Sequence, residues 1–372
     1  MPRYIIDEAS LRRNLEILKH VADEAGVKIL LAQKAYSCAA TYPLCARYLS
    51  GTTASSLFEA KHGHDNFGGE THIFAPAFDA GEMDDILAIV DHIVFNSPRQ
   101  VALFGKTAKE RGVSVALRVN PEVSVATTAA YDPCRPSSRL GVRRRDLDAA
   151  DGKTVALLDG LHFHCLCEQG VEELRKVLAG FEEKFGDLLP RMKWVNFGGG
   201  HHITRAGYDV AALIGLLRDF RRRHPGLEIY LEPGEAVALN AGTLEAVVLE
   251  IQPAGDDGIA NTILDTSAAC HMPDVIEMPY TPRVVGAAAG AKHKYRFGGP
   301  TCLAGDEIGV YAFERPLKPG DKVVFEDMAI YSMVKNNTFN GINLPSIVLR
   351  HEDGIEQTLR TFSYEDFAAR LG

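Results

Sequence analysis

The sequence predicts an α/β chain: a closed parallel (β/α)8 barrel of the TIM class, followed by a second, mostly β domain. Three observations predict it. Eight short apolar runs, near 28–33, 51–55, 71–75, 91–95, 113–119, 158–164, 193–197 and 228–232, alternate with stretches of helical spacing. After Glu235 that spacing stops, and β-rich runs separated by Gly, Pro and Asp take over. No dinucleotide-binding glycine fingerprint follows the first run, which places a doubly wound open sheet second.

The barrel is read as 8–233 and the β domain as 234–372, with the short run Arg3–Ile6 assigned to the latter so that residues 1–7 join it. Leu11, Leu15, Leu18 and Val21 form one helical stripe, stopped by Gly26. The least regular stretch, 120–140, contains Pro121, Pro133 and Pro136 and reads as a long loop between the fifth and sixth barrel strands. Leu213, Leu216, Leu217 and Phe220 mark another helix that ends near Pro225. In the second domain Leu244–Ile251 and Lys322–Phe325 read as strands, and helical spacing returns around Tyr364–Leu371.

The 372 residues carry a net charge of −9, which argues against a nucleic-acid partner; the basic runs Arg143-Arg144-Arg145 and Arg221-Arg222-Arg223 read as solvated helix faces. Seven cysteines, an odd count without a Cys-x-x-Cys pair, predict reduced thiols in a cytoplasmic protein. The N-terminus lacks the apolar stretch of a secretion signal, and no run approaches the roughly 20 apolar residues of a membrane helix. The expectation is a cytosolic protein with no membrane partner.

Reactive groups in a βα barrel gather at the C-terminal ends of the strands. Lys34 leaves the first apolar run, where desolvation favours the neutral amine that condenses with an aldehyde. Gly198-Gly199-Gly200 follows Trp194–Phe197 and lets backbone N–H groups approach a phosphate. Glu232 ends the eighth run, where a carboxylate is costly to bury without a partner such as a pyridinium N–H. His162 and His164 share a strand face and also suit a metal; their place on the sixth run, away from a suitable carboxylate, sets the zinc-hydrolase reading aside, and no metal is expected. An amine, an imidazole, a glycine loop and a carboxylate are the parts that hold pyridoxal 5'-phosphate.

In order, Lys34-Ala35-Tyr36-Ser37, His162-Phe163-His164, Gly198-Gly199-Gly200, Glu232-Pro233-Gly234-Glu235, Gly299-Pro300-Thr301-Cys302-Leu303-Ala304-Gly305-Asp306 and Met328–Ser332 through Asn337–Gly341 resemble the fold-type III pyridoxal-phosphate decarboxylases. This alanine-racemase-like group includes ornithine and diaminopimelate decarboxylases, and the resemblance extends over almost the whole chain. It implies a cofactor bound through Lys34, faced by His164, held at its phosphate by Gly198, Gly199, Gly200, Gly234 and Tyr331, and met at its ring nitrogen by Glu232. It also implies a homodimer with shared active sites, in which Cys302 returns a proton to the product and, with Asp306, reaches the other subunit's Lys34; Arg139 is the expected partner of Asp306. Within the group, His162–Glu168 and Glu232–Ala236 are similar to the branch that acts on the carboxylated triamines carboxynorspermidine and carboxyspermidine; other branches usually have arginine where Glu235 stands. Asp274, His271, Asp306 and Glu235 are the substrate-binding candidates. The alternatives are a diaminopimelate, ornithine or arginine decarboxylase, and a non-catalytic pyridoxal-phosphate carrier.

Overall fold

A computed structural model describes residues 1–372. The chain divides into two compact units, Asn14–Val237 and Met1–Arg13 together with Ala238–Gly372. Against the reading 8–233 and 234–372, the first turns of the helix Glu8–Ala25 go with the second unit. Arg12 hydrogen-bonds Glu352, and His351 Nδ1 lies 2.8 Å from Glu8 Oε2.

In the first unit eight parallel strands close into a barrel: β2 (Lys28–Ala32), β3 (Gly51–Ala54), β4 (Glu70–Phe74), β5 (His92–Phe95), β6 (Ser114–Arg118), β7 (Gly160–His162), β8 (Trp194–Asn196) and β9 (Glu228–Leu231), with β9 pairing back onto β2. Their side chains alternate between the barrel interior and the helices, so most strand residues are buried. Leu30, Val94, Ala116, Trp194 and Tyr230 fill part of the interior. The helices start where the chain supplies caps. Ser56 accepts from the Glu59 N–H ahead of Leu57–Asn66, Ser97 from Gln100 N–H ahead of Pro98–Glu110, and Asp209 from Ala212 N–H ahead of Val210–Arg223. The 120–140 stretch holds one 3-10 turn, Ala129–Tyr131, and is otherwise irregular.

The second unit is a mixed sheet in the order β13-β12-β11-β10-β1-β15-β16, with β14 also pairing β10. Its strands are β1 (Arg3–Asp7), β10 (Gly242–Ala254), β11 (Ala260–Leu264), β12 (His293–Gly298), β13 (Glu307–Phe313), β14 (Lys322–Glu326), β15 (Ser346–Arg350) and β16 (Glu356–Arg360). The N-terminal run is an interior strand: β1 pairs antiparallel with β10 and parallel with β15. Leu244, Ala246 and Val248 are buried and alternate with more exposed neighbours, and they pack with Phe297, Ile308 and Phe325 in a separate core. All seven cysteines are free thiols, and no helix is long and apolar enough to cross a membrane.

Candidate active site

Lys34 follows β2 in a turn whose backbone is held on both sides: Gln33 N–H donates to Thr53 O at 3.2 Å and Ala35 N–H to Ala32 O at 3.2 Å. Gln33 is fully buried and fixed by its side chain, which donates to Glu59 O at 2.8 Å and accepts from the Tyr42 hydroxyl at 3.0 Å. The Lys34 side chain makes no ion pair. Lys34 as a whole residue is solvent-exposed, but protein packed around its amine lowers the pKa by desolvation, the Arg118 guanidinium lowers it further, and Glu232 opposes both. Arg118 ends β6, is 6 % exposed, donates to His164 O at 3.2 Å and lies 4.5 Å from the centre of the Phe74 ring.

Glu232 follows β9 and is buried. Asn196 Nδ2 donates to its Oε1 at 2.7 Å, and His162 Nε2 stands 3.3 Å from its Oε2. Burial disfavours the carboxylate, but His162 and the hydrogen bonds outweigh it, and Glu232 titrates well below the usual carboxylate range. Burial lowers the His162 pKa as well, against the pull of Glu232. A neutral His162 donates its Nε2–H to the ionised Glu232, while its buried Nδ1 has no hydrogen-bond partner. Phe74 stacks on His162 with ring centres 5.6 Å apart and 20° between planes, so one aromatic ring supports both His162 and Arg118.

His164 accepts the Gly199 N–H at its Nδ1, 2.9 Å away, which fixes the neutral ring as the Nε2–H tautomer. Burial, then Lys34 and Arg118, hold its pKa well below the ordinary histidine value. The three glycines are demanded by this packing: a Cβ on Gly199 would lie 2.5 Å from Glu232 O and 3.1 Å from His164 Cε1. Gly200 adopts φ +80°, and its Cβ would meet Leu166 O at 2.1 Å. Asn196 holds the loop's entry by accepting the Gly198 N–H at 2.8 Å. Gly234 closes against the lysine turn, where a Cβ would come within 2.7 Å of Ala32 O and Ala35 Cβ. Lys34, Arg118, His162, His164, Glu232 and the glycine loop are thus one electrostatically coupled group at the C-terminal ends of the strands.

Arg118, Asn196 and Phe74 were not singled out from sequence. Arg118, Asn196 and Phe74 are the last residues of β6, β8 and β4, so the strand-end rule that selects Lys34 selects them too.

In the sheet unit, Cys302 is exposed, and both its N–H and its thiol donate to Asn340 Oδ1, at 2.9 and 3.0 Å. The Gly-Pro-Thr-Cys and Phe-Asn-Gly segments therefore meet in space. Tyr331 adopts φ +52°, a strained conformation for a non-glycine residue, just before the short helix Ser332–Lys335. Asp306 accepts from Ser267 Oγ at 2.9 Å, Thr301 Oγ1 at 2.7 Å and Ala269 N–H at 3.1 Å, so its carboxylate already organises the Cys302 loop. Arg139 is exposed in the barrel unit, with its carbonyl accepting from Asn96. His271 is a correction: it is completely buried, its Nδ1 is 3.0 Å from Thr266 Oγ1 and its Nε2 3.1 Å from Asn343 O. With both nitrogens used inside the sheet core, it has nothing to offer a substrate. Asp274 hydrogen-bonds the Lys335 ammonium, which also bonds Glu277 at 2.5 Å; this internal cation occupies the acceptor expected for a substrate amine.

A lysine of lowered pKa, a buried ionised carboxylate and a glycine loop at the strand ends of a parallel barrel fit the class of pyridoxal-dependent decarboxylases. The sequence model of that family, described as its C-terminal sheet domain, matches residues 4–329, and the chain belongs to the family. A carboxynorspermidine/carboxyspermidine decarboxylase from Campylobacter jejuni is 44% identical over 383 residues, covering 99% of this chain and 98% of the relative. The corresponding protein of Herminiimonas arsenicoxydans is 39% identical, covering 100% of this chain and 99% of its own. A carboxyaminopropylagmatine decarboxylase from Synechocystis is also 39% identical, covering 100% of this chain and 95% of its own. The crystal structure of Campylobacter jejuni carboxynorspermidine decarboxylase complexed with norspermidine matches with a TM-score of 0.91 at 42% identity, over 100% of this chain and 99% of that one. Diaminopimelate decarboxylase from Helicobacter pylori, at 17% identity and a TM-score of 0.83, shares the fold.

Proposed function

We propose that this chain decarboxylates a carboxylated triamine, carboxynorspermidine or carboxyspermidine, to norspermidine or spermidine in polyamine synthesis, using pyridoxal 5'-phosphate. The observation that carries the chemistry is the juxtaposition of Lys34, an amine without an ion-pair partner and with a lowered pKa, and the buried, ionised Glu232. The residues fit the cofactor. Lys34 would hold its aldehyde carbon, His164 one ring face, Glu232 its ring nitrogen, and the glycine loop its phosphate through the Gly200 N–H, those of Gly198 and Gly199 being bonded to Asn196 and His164, with Gly234 keeping the turn of Lys34 clear of side chains. When bound, pyridoxal phosphate supplies an electron-withdrawing ring that accepts the electron pair left when the substrate's α-carboxylate departs as carbon dioxide.

The chain's own residues set the conditions. Desolvation and then Arg118 lower the Lys34 pKa, which favours the unprotonated, nucleophilic amine. Asn196 and His162 hold the Glu232 carboxylate in its charged form, so a proton on a facing nitrogen is stabilised at neutral pH. His164, anchored through Nδ1, presents a rigid neutral ring. Cys302 returns the proton to the product carbon in the reading carried by the family resemblance, with Tyr331 bonding the phosphate and the chain acting as a homodimer with shared sites. If so, mixing inactive Lys34→Ala and Cys302→Ala proteins restores partial activity; no recovery after verified subunit exchange counts against the shared site.

One relative of similar identity is a carboxyaminopropylagmatine decarboxylase, which makes carboxyaminopropylagmatine a second candidate substrate. Carbon dioxide release from cofactor-loaded protein, offered carboxynorspermidine, carboxyspermidine, carboxyaminopropylagmatine, diaminopimelate, ornithine and arginine in turn, decides among them. Turnover confined to the first two supports the proposal. Preference for carboxyaminopropylagmatine, diaminopimelate or a basic amino acid overturns the substrate and keeps the chemistry, and bound cofactor without turnover revives the carrier reading.

A further inference from the structure

The segment that follows β7 carries a group of residues that the chemistry above leaves unused. Gln169 pairs with His201 as an isolated parallel bridge; its N–H donates to Gly200 O at 3.0 Å, and His202 N–H donates to Gln169 O at 3.2 Å. This lays Cys167-Glu168 alongside the glycine loop. Glu168 has φ +58°, a left-handed conformation that is strained for a glutamate. Its carbonyl accepts from Arg205 at 3.5 Å, while its exposed carboxylate makes no hydrogen bond or ion pair. His202 is 7 % exposed, and neither ring nitrogen has a hydrogen-bond partner. Its Nε2 stands 3.7 Å from Glu235 Oε1, too far for a hydrogen bond. Burial, then Arg205, lowers the His202 pKa to about 4, so the ring is neutral at neutral pH. The Cys167 thiol is raised to about 11 by burial, then by Glu168 and Glu235, with Lys34 opposing.

A buried imidazole with two unsatisfied nitrogens is costly unless a ligand completes it. An ammonium has three donors and no acceptor, the complement of two carboxylates and a neutral ring nitrogen. We propose that Glu168, Glu235 and His202 receive the ammonium groups of the substrate's polyamine tail and select it over tails that end in a carboxylate. The proposal rests on the decarboxylase reading above and deepens it. The left-handed backbone at Glu168 is then the cost of aiming its carboxylate, and an amino-acid tail such as that of diaminopimelate meets like charge.

The test is steady-state kinetics and product binding on the cofactor-loaded enzyme. Glu168→Gln, Glu235→Gln and His202→Phe should each raise KM for the carboxylated triamine by about 10–100-fold, the scale of one charge-assisted hydrogen bond, with kcat within a few-fold. Glu168→Gly separates this role from a structural one: it relieves the backbone, so the melting temperature rises while KM still increases. Wild-type KM in Glu168→Gln and Glu168→Gly overturns the proposal. If the wild type turns over no carboxylated triamine, the function reading falls by itself, and calorimetry with norspermidine then judges the site: equal affinity for wild type and the Glu168→Gln/Glu235→Gln double variant overturns it, and weakened affinity supports it.

Discussion

The two ends of the barrel use the same side chains to opposite effect. At the N-terminal ends of the strands, Lys28 bonds Glu70 at 2.5 Å and Glu228 at 2.8 Å, Tyr230 donates to Glu228 at 2.6 Å, and His72 Nε2 lies 2.9 Å from Glu70. His92 stacks on Trp194 with ring centres 4.7 Å apart. Burial lowers the Lys28 pKa, but the two glutamates outweigh it and the net shift is upward; Glu70, for all its burial, falls to about 2 through His72 and Lys28. At the C-terminal ends Lys34 has no such partner, sits near Arg118, and shifts downward. Two lysines on either end of one short strand and its following turn thus diverge: pairing favours the charged form of one, which serves the scaffold, and burial and Arg118 favour the neutral form of the other, the amine proposed for the chemistry.

Breaking the upper end gives the largest effect. Lys34→Met should abolish decarboxylation, measured as carbon dioxide release. The same variant should raise the melting temperature of cofactor-free protein near neutral pH. A lysine whose folded pKa lies below its unfolded value destabilises the fold, fully below the folded pKa and progressively less as pH rises from there to the unfolded pKa. Glu232→Gln should follow, lowering kcat by about 10²–10³-fold, the scale of one placed electrostatic group, with cofactor still bound. Arg118→Met removes the repulsion that, after desolvation, lowers the Lys34 pKa. The Lys34 pKa then rises, and the acid limb of the pH dependence for pyridoxal phosphate binding to cofactor-free protein moves to higher pH; an unmoved limb contradicts the electrostatic role.

The smallest effect lies at the lower end. Lys28→Met strands two carboxylates in a half-exposed position and should cost about 1–2 kcal/mol in denaturant unfolding, between surface and buried ion pairs, with decarboxylation unchanged. Lys28 has a raised folded pKa, so its contribution is full below the unfolded value and disappears as pH rises through the folded one. The stability difference between wild type and Lys28→Met should therefore narrow in strong alkali.

Much of this contrast was legible in the sequence, because barrel strands are short apolar runs bounded by turns. The eight runs lie on β2 to β9, and Lys34, His164, Gly198 to Gly200 and Glu232 fall at strand ends as expected. What escaped depends on contacts between distant residues. His271 and Asp274 stand side by side with chemically suitable groups, yet Thr266 and Asn343 use the imidazole, and Lys335, 61 residues away, uses the carboxylate. Arg118 and Asn196 lie on separate strands, and only closure of the barrel brings them to the lysine and the glutamate. The left-handed turn at Glu168 had no sequence signal, since glutamate rarely adopts it.

The most direct measurement is borohydride reduction of pyridoxal phosphate bound to wild-type protein, followed by peptide mass mapping of the modified lysine. The expected result is a single adduct on Lys34, with Lys28 unmodified. An adduct on Lys28, or one spread over surface lysines with Lys34 untouched, would contradict the assignment of the neutral amine to the C-terminal end of the barrel.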